Sequence, residues 1–425
     1  MGLHATIKTH LVDKMQHAVL HSIPAPPDKK APTLCVVDFM WLLFRFSGST
    51  GVHLTRFILR QAFEAFDGGI PRVAVLTDDP EKVPVQKHEE QKRRRVKRQK
   101  TEATRSPELL ELADDKCPAE FVSAMMNTCF RNRVMAYLAR TVPETLRTRK
   151  YSALAAQIVS DRFNDGDTEL VACFCIGSHP PQTWAWNKST GWRERMSPTI
   201  AATHGEADMA AVDVIRYFLK TDNDTGRDTG GVVVRTIDSD SIPILLMLLR
   251  DVTSDVPIML WLPACGKKSK SGLACTYDDT DQDNPSVVSI ARRVGGTAFV
   301  PAASANVRKR AQSEASSIWN YENKTLIRLN GLCDADNAVR LVVVCVIMGT
   351  DFNAKLIPGV GIAKIVSALS CVDIQQLKAC FQCGDRLRSI CSTVLKKPSA
   401  KKTDSEEFEK ASWVLRYWSS TDTCA

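Results

Sequence analysis

Short, almost uninterrupted apolar runs punctuate this chain. "TLCVVDF" (33–39), "RVAVLTDD" (72–79), "ELVACFCIG" (169–177), "GVVVRTIDSD" (231–240) and "VPIMLWL" (256–262) are rich in β-branched residues, and most end on acidic or turn residues. A run that is apolar at nearly every position leaves no face for water, which predicts strands covered on both sides. Between them, "HLTRFILRQAFEAF" (53–66) and "EADMAAVDVIRYFL" (206–219) repeat their apolar residues three and four apart, the helical spacing. Strands alternating with helices imply right-handed crossovers and a parallel sheet, an α/β fold.

Other stretches break the alternation. Residues 176–200 predict a hairpin turning at Asn187–Gly191, and 264–320 are polar and irregular; both read as insertions. Residues 396–410, "KKPSAKKTDSEEFEK", read as a charged linker. The longest wholly apolar stretch, 341–348, is far too short to cross a bilayer core of ~30 Å.

Composition changes this picture in two places. A chain of 425 residues that is 44% apolar can bury a full core in one large domain with insertions. Its fourteen cysteines follow no apolar leader, so free thiols in a reducing compartment are expected. Cys380 and Cys383 form one close couple, where a zinc knot needs two. The net charge is +8, and the run from Lys82 to Lys100, "KVPVQKHEEQKRRRVKRQK", alone holds nine Lys and Arg. Such a run is a solvated helix face, an import signal or a phosphate-binding surface.

Carboxylates supply the candidate chemistry. Ligands of parallel sheets bind beyond the carboxyl ends of the strands, and there the chain carries Asp38, Asp78, Asp79, Asp238 and Asp240. Acids gathered at one edge repel one another unless a cation sits among them. Glu206 and Asp208 open a helix, where the dipole favours them, and Asp351 closes the apolar run 341–348. Asp38, Asp78, Glu206, Asp208, Asp238, Asp240 and Asp351 make a set suited to hard Mg²⁺ or Mn²⁺ ions. Two such ions ~4 Å apart activate a water and steady a leaving oxygen, which is metal-assisted phosphodiester hydrolysis.

The order "MG", "VVDFMWLLFRF", "VLTDDP" with a Lys/Arg helix, "GEAD", "TIDSD" and "VIMGTDFNAKLIPGVGIAKI" resembles the flap endonuclease, or structure-specific 5′-nuclease, family with its PIN-like fold. The likeness runs from Met1 to about Leu369 and is similar to divergent members carried by large DNA viruses. It implies that all seven acids bind two Mg²⁺ or Mn²⁺ ions, with Asp79 the alternative register for Asp78. Lys87 and Arg94, seven apart on one helix face, match the basic pair that polarises the scissile phosphate, with Arg93 or Arg95 as alternatives for the second. Phe44 matches an aromatic that stacks on a nucleobase, and Gly2 the glycine that lets the N-terminus approach substrate. Gly359, Gly361 and Lys364 match a helix–turn–helix that grips duplex phosphates through its backbone, with a bound K⁺. "LIRLNGLCDADNAVRLVVVCVIMGTDF" looks like the two helices that lead to the closing aspartate.

The resulting expectation is a PIN-like nuclease core over 1–340 with a helical arch, a duplex clamp over 341–395 continuous with it, and a charged linker and tail over 396–425. The partner is branched or flapped DNA in replication, recombination or repair. No sliding-clamp-binding peptide is visible, and the basic run suits a monomeric nuclear protein. The alternatives are an RNA endonuclease of the viral host-shutoff type, which also begins "MGL", and a non-catalytic DNA-binding scaffold.

Overall fold

A computed structural model of the 425-residue chain describes residues 32–44, 46, 48–87, 89, 111–163, 168–200, 205–227, 230–236, 241–248, 256, 258–261, 326–328, 335–350, 352–393 and 405–419. The predicted strands form as β1 (Pro32–Asp38), β2 (Arg72–Leu76), β3 (Leu170–Cys175), β6 (Gly231–Arg235) and β7 (Ile258–Trp261), all parallel to one another. Three antiparallel strands extend the sheet. They are β4 (Gln182–Asn187), β5 (Gly191–Arg195) and β8 (Leu326–Arg328), giving the order β5-β4-β3-β2-β1-β6-β7-β8.

The sheet is therefore mixed, which corrects the expected parallel sheet. The hairpin of 176–200 turns where its sequence predicts, with Asn187 Oδ1 accepting from the backbone N–H of Ser189 and Thr190, and a turn that short permits only antiparallel pairing. It widens the sheet rather than interrupting it. Residues 326–328, expected within a helix, instead pair with β7.

Alternation along the parallel strands divides the core in two. Cys35, Val37, Val73 and Val75 point to the face covered by α1 (Met40–Leu43), α2 (Gly51–Asp67), α3 (Phe121–Ala124), α4 (Thr128–Leu146) and α5 (Arg149–Arg162). Leu34, Val36, Ala74 and Leu76 point to the other, covered by α6 (Ala207–Thr225), α7 (Ser241–Leu248), α8 (Ala335–Met348), α9 (Ile362–Ser370), α10 (Ile374–Ala379), α11 (Gly384–Thr393) and α12 (Ser405–Ser419). Helix α8 runs unbroken across 340–341, so core and clamp expectations share one element.

Helix α12 corrects the expected linker and tail. Phe408, Ala411, Leu415 and Trp418, at helical spacing, are each fully buried against α7, α8 and α11. Burying such side chains stabilises by roughly 1.5–3 kcal/mol each, far more than a charged tail would gain. The helices at 121–162, between Asp78 and Glu206, likewise pack on the sheet. No described helix is long and apolar enough to cross a membrane.

One buried ion pair orients the helix that matters most. At the start of β2, Arg72 grips Asp222 with both guanidinium nitrogens, Nη2 to Oδ2 at 2.7 Å, and donates from Nε to the Thr33 carbonyl at 3.1 Å. This pins the C-terminal end of α6 beside the strand starts. Its N-terminus consequently lies beside the strand ends.

Candidate active site

Strands β2, β1 and β6 are parallel neighbours, so their carboxyl ends share one edge. Asp38 ends β1. Its Oδ1 accepts from the Met40 backbone N–H at 3.0 Å and its Oδ2 from the Thr236 hydroxyl just past β6 at 2.9 Å, so the carboxylate ties two strand ends together.

Two residues past β2, Asp78 Oδ1 accepts from the backbone N–H of Ala207 at 3.0 Å, the first residue of α6. A carboxylate at a helix N-terminus is favoured by the dipole and by the otherwise unpaired N–H groups. Asp79 points elsewhere: its Oδ1 accepts from Glu81 N–H at 3.0 Å and its Oδ2 lies 3.2 Å from Lys82 Nζ. Asp78 thus reaches the start of α6, whereas Asp79 closes a turn.

Glu206 is the N-cap residue of α6 and Asp208 lies in its first turn. Glu206, only 5% exposed, forms an ion pair with the Lys87 ammonium, a contact across 119 residues. The Ser241 hydroxyl, at the start of α7, donates to Asp208. Lys87 also sits 5.6 Å from the ring centroid of Phe352, a cation–π contact. Phe352 in turn lies 5.7 Å from the ring of Tyr417 and 6.2 Å from that of Trp413, while Tyr417 and Trp413 stack at 4.9 Å and 11°. Helix α12 thus walls the site with aromatic rings.

The phenol of Tyr417 is subject to the charges of this group. Burial pushes its phenol up well beyond the ordinary range. The Glu206 charge raises it further, Lys87 opposes, and Asp78 and Asp208 add to the rise. One side chain therefore senses four of the residues picked out by sequence, drawn from the strand β2 exit, the segment at 85–87 and the start of α6. The hydroxyl is shielded from solvent and has no hydrogen-bond partner among the described residues.

A backbone approach holds these segments together. The Asp79 N–H donates to the Gly205 carbonyl at 3.0 Å, and a Cβ on Gly205 would stand 2.0 Å from the Lys82 carbonyl oxygen. Only glycine lets the loop after β2 lie against the residue preceding Glu206.

The remaining candidates are spread more widely. Phe44, just after α1, is half-buried and packs against the core of the opposite face. Gly359 has φ +75°, a left-handed conformation that suits glycine, and Gly361 caps α9 without any side-chain hydrogen bond. Gly359 and Gly361 are exposed on the connection from α8 to α9, and Lys364 is exposed in the first turn of α9. Gly2, Arg93, Arg94, Arg95, Asp238, Asp240 and Asp351 lie outside the described residues, as does 264–320.

The donor set is all-oxygen, which fits a hard divalent cation and not zinc. Among the described residues no three His, Cys, Asp or Glu side chains come together as a ligand group. A complete set therefore needs at least one of Asp238, Asp240 and Asp351. Sequence reading passed over Tyr417, Phe352, Ser241, Thr236 and Gly205; of these, Gly205, Thr236 and Phe352 stand inside motifs that it quoted.

Comparison of the chain with family models, with curated proteins and with solved structures finds no match.

Proposed function

We propose that this protein is a divalent-metal-dependent phosphodiesterase, a structure-specific DNA nuclease of the 5′-flap type. One observation supports it above the others: at the carboxyl edge of a parallel strand block Asp78 bonds the first residue of α6, Glu206 and Asp208 open that helix, and Lys87 is ion-paired to Glu206. The helix dipole favours an acid at the start of α6, but acids drawn to one edge repel one another beyond what a single lysine offsets, and a bound cation relieves that.

On this reading the core is PIN-like, and Asp38, Asp78, Glu206 and Asp208, with Asp238, Asp240 and Asp351, would hold two Mg²⁺ or Mn²⁺ ions. When bound, such ions activate water and offset charge on the leaving oxygen. Lys87 supplies a fixed positive charge where the acids would otherwise repel a phosphate. Its position is set by Glu206 and the Phe352 ring. Arg94 would add a second charge. Independently of sequence, Gly359 and Gly361 would hold duplex phosphates through backbone N–H groups ahead of α9 and Lys364 through its ammonium, with K⁺ bound there as the resemblance implies. Phe44 and Gly2 would contact the strand to be cut. The basic run at 82–100 suits nuclear entry.

Labelled single-stranded, duplex, 5′-flap and capped RNA substrates, each with Mg²⁺, Mn²⁺ or EDTA, test the proposal. Flap cleavage that needs metal and is abolished by Asp78→Asn is expected. Binding of flap DNA without cleavage under any metal would overturn it, and cleavage confined to RNA would move the substrate to the host-shutoff type.

A further inference from the structure

The connection from α8 to α9 carries a cation of its own. Lys355 Nζ donates to the Val360 carbonyl at 2.8 Å, across the turn that holds Gly359. Both ends of this contact are fixed by packing. The Val360 side chain is only 2% exposed, and the residue after Lys355 is tied to the end of α8 by the bond from Leu356 N–H to the Ile347 carbonyl at 3.0 Å. Lys355 is itself half-buried, so its ammonium lies against the turn instead of in open water.

On the nuclease reading this turn grips duplex phosphates, with K⁺ expected beside it. Proteins hold K⁺ by backbone carbonyl oxygens that replace its water shell. Here the Val360 carbonyl already meets an ammonium, a compact point charge of the same sign and size. The carbonyls of Val346 and Ala354 accept from Asn353 Nδ2 at 2.9 Å and 2.8 Å. A second cation at the Val360 oxygen would be repelled by Lys355, so the residues present do not fit K⁺. The ammonium also gives the turn a direction. In a trans peptide the C=O and N–H point opposite ways, so a Val360 carbonyl aimed at Lys355 turns the Gly361 N–H away from it. The charge on the oxygen polarises the peptide and strengthens that N–H as a donor. We propose that the Lys355 ammonium takes the place of K⁺ in this turn and aims the Gly361 N–H at a duplex phosphate. Lys355 is thus a positioning residue, and the proposal rests on the nuclease reading above.

Binding of flap DNA in EDTA, which prevents cleavage, tests it in KCl and in LiCl at equal ionic strength. Wild-type affinity should agree within about twofold between the two salts. Lys355→Ala should bind roughly tenfold more weakly in LiCl, the size of one charge-assisted hydrogen bond, and K⁺ should restore most of that loss. Wild-type binding that falls further than about twofold in LiCl overturns the proposal, because K⁺ is then needed beside Lys355. Lys355→Ala that binds like wild type in both salts also overturns it, as does a loss that K⁺ leaves unrestored. Should the wild type bind no DNA, the nuclease reading fails, and melting curves decide on Lys355. KCl in place of LiCl should then raise the melting temperature of Lys355→Ala and leave that of the wild type in place; equal shifts overturn the substitution of ammonium for K⁺.

Discussion

Replacing Gly205 with alanine perturbs the site without touching any of its charged groups. The added Cβ stands 2.0 Å from the Lys82 carbonyl oxygen and 2.9 Å from the Val83 nitrogen, whereas ordinary contact begins at 3.4 Å. The 79–83 loop must then retreat by more than an ångström, and both neighbours are backbone, which cannot swing aside as a side chain would. Overpacking of this kind costs about 1–3 kcal/mol. Loss of the 3.0 Å bond from Asp79 N–H to the Gly205 carbonyl adds about 1 kcal/mol. At ~2–4 °C per kcal/mol for a chain of this class, the melting temperature should fall by several degrees. The larger effect is on geometry. The retreating loop carries Lys87 away from Glu206, and a misplacement of ~1 Å can cost about a hundredfold in rate. Ile158→Val serves as control, since Ile158 is fully buried on the opposite face of the sheet and the change costs about 1 kcal/mol. Melting curves and single-turnover flap cleavage of both variants are the assay. Gly205→Ala with wild-type melting and cleavage would refute the tight approach. A destabilised Gly205→Ala that cleaves as fast as Ile158→Val would refute the link from that approach to the chemistry.

Lys87→Met should lower cleavage by about a hundredfold or more, as loss of one preorganised positive group does. It should also lower the melting temperature in EDTA, by the equivalent of at most about 3 kcal/mol, since Glu206 loses its buried cation. Mg²⁺ should restore more of that loss than it adds to the wild type; equal gains would argue against metal at Glu206. Trp418→Ala empties a fully buried site and should cost about 3–5 kcal/mol, read by chemical denaturation. Burial pushes the Cys35 thiol up to about 12, from 9.0 when exposed. The folded state therefore holds its proton more tightly, and this contribution is complete below pH 9 and lost as pH rises toward 12. Cys35→Ala should flatten the alkaline decline in stability by up to about 1.4 kcal/mol per pH unit; an unchanged slope between pH 9 and 10.5 would contradict it.

Much of the architecture was legible because it rests on local pattern. The parallel strands are apolar at almost every position, and α2 and α6 carry unbroken helical spacing. Residues 326–328 were not legible: three residues hold no periodicity, and their strand exists only through pairing with β7. Helix α12 was hidden by its own charged beginning, "SEEFEK", although Phe408, Ala411, Leu415 and Trp418 do carry the helical spacing. In the site, the acids could be picked out as types at strand ends and helix starts. The choice between Asp78 and Asp79 could not, because both follow β2 and only the position of α6 separates them. Pairing of Lys87 with Glu206 and the arrival of Tyr417 depend on contacts between segments far apart in sequence, which no window along the chain contains.

The position of α12 in the order of synthesis has a cellular consequence. Its aromatic residues complete the wall around Lys87, yet they emerge from the ribosome only after the sheet and the other described helices. A nascent chain, or a product of a premature stop before residue 405, carries Asp38, Asp78, Glu206 and Asp208 and lacks that wall. Such a fragment would expose the apolar surfaces of α7 and α8 and be directed to chaperones or proteolysis. Translation through α12 thus acts as a checkpoint on when the candidate site comes into being.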